Sequence, residues 1–547
     1  MKITNTETTN THQGNRATEV LMAPLANDED HKIYGEGCGS HFLVVAYSIQ
    51  GHVNPARTLA HRLAQTSGCT ATLSVPLSCH RRMFPSSSDD DGEATTIISD
   101  GLISYLPFSD GKDDGSWPVD SEDRARRRDA NFRTLSAVVS RLASGGSRPP
   151  VTCVVCTLSM PMVREVARAH GLPLAVYWIQ PATVLATYYH YFHGHDALLR
   201  LLGLDDGGGR GHGQHEVTLP GLHRPLRARD MPTFLSEEKS QDGLSKMVLQ
   251  SLRELFQKMD QEQEENKPVV LVNTFGELED VALRAVHPYM DVFAVGPAVP
   301  VPGVLGGSRH QGEMNSASEL AQIHLVPHDD ETKKAYMEWL DAQPEKSVVY
   351  LSFGSLLGYT KRQAEEVLHG LQASGRPYLW VVRKEGRAEE VDLWLTEVEE
   401  EKKDISKGMV VAWCDQQRVL AHPSVGCFVT HCGWNSTLEA VVCGVPMVAV
   451  PSWSDQPVNA WLVEEEWGVG VRAERDGEGV LTRGELARCV ELLMGGGDRA
   501  VQVRANASGL KERARRAVAA AGPLEACLES FVETMQGLGR SGKQIAF

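Results

Sequence analysis

The chain has 547 residues, more than one hydrophobic core organises, so two domains are expected. A hydrophobic content of 42% is that of a globular protein, and a net charge of -17 excludes the clustered cationic surface of a nucleic-acid binder. An anionic nucleotide stays open as a ligand, because a helix start and a few polar groups suffice to hold one. The eleven cysteines are scattered through apolar runs without zinc-like pairs of pairs, which suits reduced thiols and a cytoplasmic location.

Residues 1–40 are polar and lack the apolar run of a signal peptide, so a disordered extension is expected there. No stretch has the roughly 18 apolar residues of a membrane span. Phe42 to Tyr47 (FLVVAY) reads as a buried strand, SIQGHVNP as a turn, and Ala56 to Leu63 as a helix with Pro55 near its start. A second strand follows at Ala71 to Val75. This βαβ opening puts His52 at the carboxyl end of the first strand, where open α/β sheets bind ligands. An imidazole there either moves a proton near neutral pH or caps a turn. Asp89-Asp90-Asp91 lie in a Ser/Gly run and read as a solvated loop, not a metal site. Asp113 and Asp114, in a Gly-flanked loop, either border a ligand or simply turn the chain.

Cys153 and Cys156 form a CxxC inside a strand-like run, without the helix start that redox motifs use, and read as core. Tyr177 to Phe192 passes from strand to helix. Its side chains are either core or, for some of Trp178, Gln180, Tyr188 and Tyr189, the lining of an apolar cleft. Gly203 to Gln214 is a low-complexity insertion. A polar helix (Ser245 to Gln263), a strand (Val269 to Asn273), a helix (Leu278 to Ala285) and a strand (Val292 to Val295) follow. Asn273-Thr274 is either a ligand contact at the cleft edge or a helix-starting turn. The Pro/Gly-rich segment from Gly296 reads as a linker.

A second α/β pattern then begins, with a helix at Tyr336 to Asp341, a strand at Ser347 to Ser352 and a helix at Lys361 to Ala373. Gly354-Ser355 ends that strand, where backbone can approach a phosphate. Further strands are expected at Tyr378 to Val382 and Gly408 to Ala412, and the acidic run Glu397 to Asp404 as a solvated helix face. The most informative stretch is Trp413 to Gln456. Val425 to Thr430 is a buried parallel strand, His431-Cys432-Gly433 a turn, and Asn435, Ser436 and Thr437 favour a helix start. Gly444 ends that helix, and Met447 to Val450 is the next strand. The helix start presents unpaired N–H groups and a positive dipole to a pyrophosphate. Glu439, about one turn on, can accept from sugar hydroxyls. Trp413 offers a flat face to a base, and Asp455-Gln456 an acceptor and an amide to a second sugar. Helices near 460–466, 482–493, 498–520 and 523–537 complete the pattern.

Trp413, Gln416, the phrase HCGWNST, Glu439 and the closing Asp455-Gln456, with GHVNPA in the first half, resemble the signature of plant-type UDP-glycosyltransferases of the GT-B fold. The resemblance runs from about Phe42 to Gly537. It implies an α/β fold of two Rossmann-like domains facing a cleft: residues 41–298 for the acceptor and 331–520 for the UDP-sugar. The linker would be 299–330, and 521–547 a helix returning to the first domain and a tail. It implies that Ser355, Trp413, Cys414, Gln416, His431, Gly433, Trp434, Asn435, Ser436, Glu439, Asp455 and Gln456 bind the UDP-sugar. His52 takes the acceptor's proton, and a closing Gln favours glucose. The implied protein is a cytoplasmic monomer without metal or cofactor, UDP-glucose being a substrate. The acceptor would be a small aromatic or apolar molecule.

Family members usually carry an Asp beside the catalytic His, about a hundred residues on. Here the matching position is Thr157, which brings a hydrogen bond but no charge. SDGKDDG, VYWIQPATVLATYYHYF and LRARDMPTFL resemble a subset that shares this Thr. That subset comprises anthocyanin 5-O-glucosyltransferases and enzymes making glucose esters of carboxylic acids. Thr157 therefore suits an acceptor that ionises easily. The competing readings are a binder that lost its chemistry through Thr157, and a dinucleotide oxidoreductase, whose Gly-rich fingerprint SIQGHVNP does not supply.

Overall fold

The computed structural model describes residues 39–85, 97–116, 118–144, 149–158, 160–201, 216–236, 243–263, 267–302, 330–354, 358–384, 388–401 and 407–540. The expected extension up to residue 38, Asp89-Asp90-Asp91, Gly203 to Gln214, most of the expected linker and Ser355 lie outside them.

Continuous apolar runs become strands buried on both faces, as parallel sheets require. The first sheet holds β1 (Ser40–Val45), β2 (Cys69–Ser74), β3 (Ile98–Ser99), β4 (Ser104–Tyr105), β5 (Cys153–Thr157) and β6 (Leu174–Trp178). After a short antiparallel pair, β7 (Glu216–Val217) and β8 (Leu226–Arg227), it is completed by β9 (Val269–Val272) and β10 (Asp291–Ala294). The strand order is β10-β9-β6-β5-β1-β2-β4-β3, parallel except for β3 against β4. The second sheet is all parallel, in the order β13-β12-β11-β14-β15-β16. Its strands are β11 (Val348–Ser352), β12 (Tyr378–Val381), β13 (Gly408–Val411), β14 (Val425–Thr430), β15 (Met447–Ala449) and β16 (Gly470–Arg472).

Both sheets start in the middle and reverse direction once. In the first, the chain moves outward from β1 through β2 and returns to β1's other side as β5. In the second, β11 is flanked by β12 and then by β14. The gaps beyond the carboxyl ends of β1/β5 and β11/β14 are the topological switch points, where open α/β sheets leave a crevice for ligands.

One sequence expectation is corrected, and two open alternatives are decided. SIQGHVNP is not a turn ahead of a helix. The helix spans Gln50–Gln65, with Ile49 as its extended N-cap, so His52 and Pro55 both lie inside it. Pro55 forfeits only one intrahelical bond there, that of its own missing N–H. Tyr188 and Tyr189 lie in the core. Ten of the eleven residues of helix Ala182–Phe192 are buried. Tyr188 packs edge-on against Trp178 and stacks on Phe192, while Tyr189 stacks between His193 and Tyr289. Asn273 and Thr274 are fully buried as well, off the cleft wall.

Cys153 and Cys156 occupy opposite faces of β5, three residues apart in a structure of period two, so their thiols point away from each other. Burial pushes both thiols up. Helix Pro523–Arg540 packs on the first sheet, with the Phe531 ring 5.7 Å from Phe42 and 5.6 Å from Phe293. Among the described residues no helix is long and apolar enough to cross a membrane.

Candidate active site

At the first switch point, β5 ends in Thr157 and the helix after β1 begins with His52 in its first turn. His52 Nδ1 lies 3.1 Å from Thr157 Oγ1, which also accepts the backbone N–H of Tyr47 at 3.2 Å. With Nδ1 engaged, Nε2 is the ring nitrogen left for the cleft that His52 lines. Burial lowers the imidazole from 6.5 to about 4. No carboxylate among the described residues offsets that burial, so the ring is neutral at physiological pH.

At the second switch point, the loops after β11 and β14 interlock around His431. A Cβ on Gly354, whose φ is +76°, would lie 2.5 Å from the His431 ring, and one on Gly433 equally close. Both positions therefore require glycine. Cys432 takes a positive φ of 62°, its N–H donating to Thr430 Oγ1 and its carbonyl accepting from Asn459 Nδ2 at 2.8 Å. This turn feeds helix Trp434–Cys443, with Gly433 at the N-cap and no side-chain cap. The uncapped N–H groups and the dipole form an anion site facing the first switch point.

Beside it, Gln416 is fixed from both ends. Its Oε1 accepts from the Tyr350 hydroxyl at 3.1 Å, and its Nε2 donates to Ser436 Oγ at 2.8 Å and Glu439 Oε2 at 2.5 Å. Cys414 Sγ contacts the same Tyr350 hydroxyl at 3.3 Å. Burial pushes the Glu439 carboxyl up to about 7, against the pull of the Gln416 bond. Trp413 and Cys414 line this end of the cleft.

At the other end, Gln456 Oε1 accepts the backbone N–H groups of Ser452 and Trp453, which turns its Nε2 outward as the donor. Asp455 Oδ2 accepts from Asn459 Nδ2 at 2.7 Å, and Oδ1 from Gln180 Nε2 at 3.2 Å. Burial raises Asp455, and the Asn459 bond is the largest of the contacts that lower it. Gln180 thus reaches the cleft from the first sheet.

Trp434 does a second job: its indole N–H donates to the Asn273 carbonyl at 2.7 Å, joining the helix start to the end of β9. The LRARDMPTFL phrase is a strap. Thr233 and Ser454 exchange two 2.9 Å hydrogen bonds, and Asp230 pairs with Arg472 at 2.7 Å. Sequence reasoning missed Tyr350, Asn459, Thr233 and the Asp230–Arg472 pair. The resemblance of the strap phrase was the one signal pointing at any of them.

The cleft between the switch points measures about 290 Å³ and is walled by both sheets' loops. It brings together His52, Gln180, Trp413, Cys414, Gln416, His431, Gly433, Trp434, Asn435, Ser436, Glu439, Asp455 and Gln456. Thr157 stands behind His52. No group of three or more metal-ligating side chains occurs among the described residues.

Residues 312–496 match a family profile described as UDP-glucoronosyl and UDP-glucosyl transferase. The chain is 39% identical over 501 residues to the chloroplastic crocetin glucosyltransferase of Gardenia jasminoides, covering 90% of this chain and 97% of that one. It is 37% identical to the anthocyanidin 3-O-glucoside 5-O-glucosyltransferase of Verbena hybrida, covering 91% and 99% respectively. Its structure is similar to that of Os79 from O. sativa in complex with UDP, with a TM-score of 0.71 and 30% identity over 90% of this chain and all of that one.

Proposed function

Since the chain belongs to the UDP-glucoronosyl and UDP-glucosyl transferase family and is a UDP-glucosyltransferase, we propose that it transfers glucose from UDP-glucose, with inversion, to a carboxyl or phenolic oxygen of a small plant metabolite. The observation that carries this is His52, hydrogen-bonded to an uncharged Thr157 and facing the helix start at Trp434 across one cleft.

In this reading Trp413 stacks on uracil, Gln416 and Glu439 hold the ribose, and the helix start with His431, Asn435 and Ser436 takes the diphosphate. Asp455 and Gln456 hold the glucose hydroxyls. The acceptor oxygen attacks the anomeric carbon, the new C–O bond forms as the bond to phosphate breaks, and UDP leaves with the electron pair. The N–H groups of the helix start are in place for that charge before it develops. A phenolic acceptor gives its proton to His52 Nε2. A carboxylate has none to give at neutral pH and needs only positioning. Thr157 keeps the imidazole oriented without stabilising its cation, which favours acceptors that arrive ionised. No metal takes part in this reading, so a chelator leaves the rate unchanged.

The test is product mass spectrometry with UDP-glucose and a panel of carboxylic acids and phenols, followed by mild alkali. An alkali-labile hexose adduct identifies an ester-forming enzyme. An alkali-stable one identifies a phenol glucosyltransferase and removes the ionised-acceptor argument. The reading places the enzyme in the cytoplasm; recovery with plastids on fractionation would replace that with the location in the Gardenia protein's name.

A further inference from the structure

Pro55 sits inside helix Gln50–Gln65, where it has no N–H to give to the carbonyl four residues back, that of Gly51. The helix therefore leaves that carbonyl without its ladder partner. It accepts instead from Asn435 Nδ2, 3.3 Å away on the opposite wall of the cleft. The orientation of the amide follows from its partner, since two facing oxygens would repel. Gly51 is the residue before His52, and Asn435 is the second residue of the helix whose start faces the diphosphate. Asn435 Oδ1, by contrast, is buried without a partner among the described residues.

We propose that Pro55 is a positioning residue for glucosyl transfer: by withholding an N–H it keeps the Gly51 carbonyl open for Asn435, and so ties the helix carrying His52 to the helix start that faces the donor. Pro55 is buried and is not among the residues that line the cleft. It acts through a main-chain carbonyl, which any residue at position 51 would supply. The tie fixes the spacing between the base and the leaving group, a distance to which transfer rates are steeply sensitive. The inference rests on the donor site proposed above.

The test is Pro55→Val in the full chain, which restores an N–H at nearly constant side-chain volume. The new N–H takes the Gly51 carbonyl, and Asn435 loses its cross-cleft partner. The expected result is a kcat lower by about fivefold, the worth of one ordinary hydrogen bond. UDP affinity by calorimetry is unchanged or tighter, because the Asn435 amide is released toward the phosphates. The residue-55 amide is protected from hydrogen exchange. Pro55→Ala, with the same N–H and a smaller side chain, shows the same kcat loss although its Tm differs. An unchanged kcat in either folded variant overturns the proposal. So does a parallel fall in kcat, UDP affinity and Tm, which is what a merely structural proline would give. If the unsubstituted chain turned over no acceptor, the catalytic reading would fall by itself. UDP affinity and amide protection would still decide the role of Pro55.

Discussion

Replacing Thr157 by Asp puts a carboxylate where Thr157 Oγ1 now sits 3.1 Å from His52 Nδ1. At about 4 Å between charge centres and an effective dielectric of about 20, the attraction is about 4 kcal/mol, or about three pKa units. Solvent at the cleft face screens roughly a unit of this. Burial holds the His52 imidazole down at about 4, so in the variant it titrates at roughly 6 to 7. The assay is kcat/KM against pH, from 4 to 9 at fixed ionic strength, with one phenolic and one carboxylic acceptor. The base form exists above its pKa, so the acid limb for the phenol moves up by roughly two to three pH units. Above that limb the phenol rate rises by roughly tenfold or more, because proton transfer from a phenol of pKa about 10 becomes less uphill. The carboxylate rate gains nothing, since that acceptor arrives ionised. An acid limb that stays in place refutes the electrostatic account of Thr157. Phenol and carboxylate rates that move together refute the ionised-acceptor argument.

Asn459→Ala removes the one amide that holds both the Cys432 carbonyl and the Asp455 carboxylate. The loss destabilises the fold by roughly 3 kcal/mol and raises KM for UDP-glucose about tenfold, more than it weakens UDP alone; equal effects on the two ligands would refute a role at Asp455. Gly354→Ala drives a methyl into the His431 ring at a left-handed position, so UDP binding measured by calorimetry falls by about a hundredfold or more. Near-normal affinity would show that the two loops separate freely. Burial holds His52, His80, His190 and His431 at about 4, while it lifts Glu439 to about 7. Between about pH 6.5 and 4 the unfolded chain binds the histidine protons first, so stability falls as pH falls; Glu439, protonated earlier in the fold, opposes this from about 7 down to 4.5. Asp455 and Glu279, also raised by burial, act in the same sense as Glu439; the four histidines outweigh these carboxyls, and Tm drops by roughly 3 °C or more from pH 7 to pH 5. A flat profile would mean that these rings are protonated in the native state.

The stretch from Trp413 to Gln456 was legible because strand, turn and helix start follow one another locally, and each has its own residue signature. Val425 to Thr430 and Gly444 fall where the pattern puts them. His52 was legible as a reactive residue but not as a helical one. Pro55 reads as a helix start, and nothing local says that the helix began five residues earlier. Tyr188 and Tyr189 stayed open between core and cleft because an aromatic run states how much surface a helix buries and not which neighbours bury it. Asn459 and Thr233 are ordinary polar residues in sequence. Their work depends on partners 27 and 221 positions away, distances that no local pattern carries.

The seam at Trp434 bears on how such chains can be recombined. Its indole donates to a main-chain carbonyl, that of residue 273, which any amino acid there provides. The strap differs at one point: Thr233 meets only main-chain atoms of Ser454, but Asp230 and Arg472 are matched through side chains. A chimera joining the first half of this chain to the second half of a relative therefore inherits the Trp434 joint without adjustment. It keeps the strap's ion pair only if the second half carries an Arg at position 472 or brings its own segment 226–235.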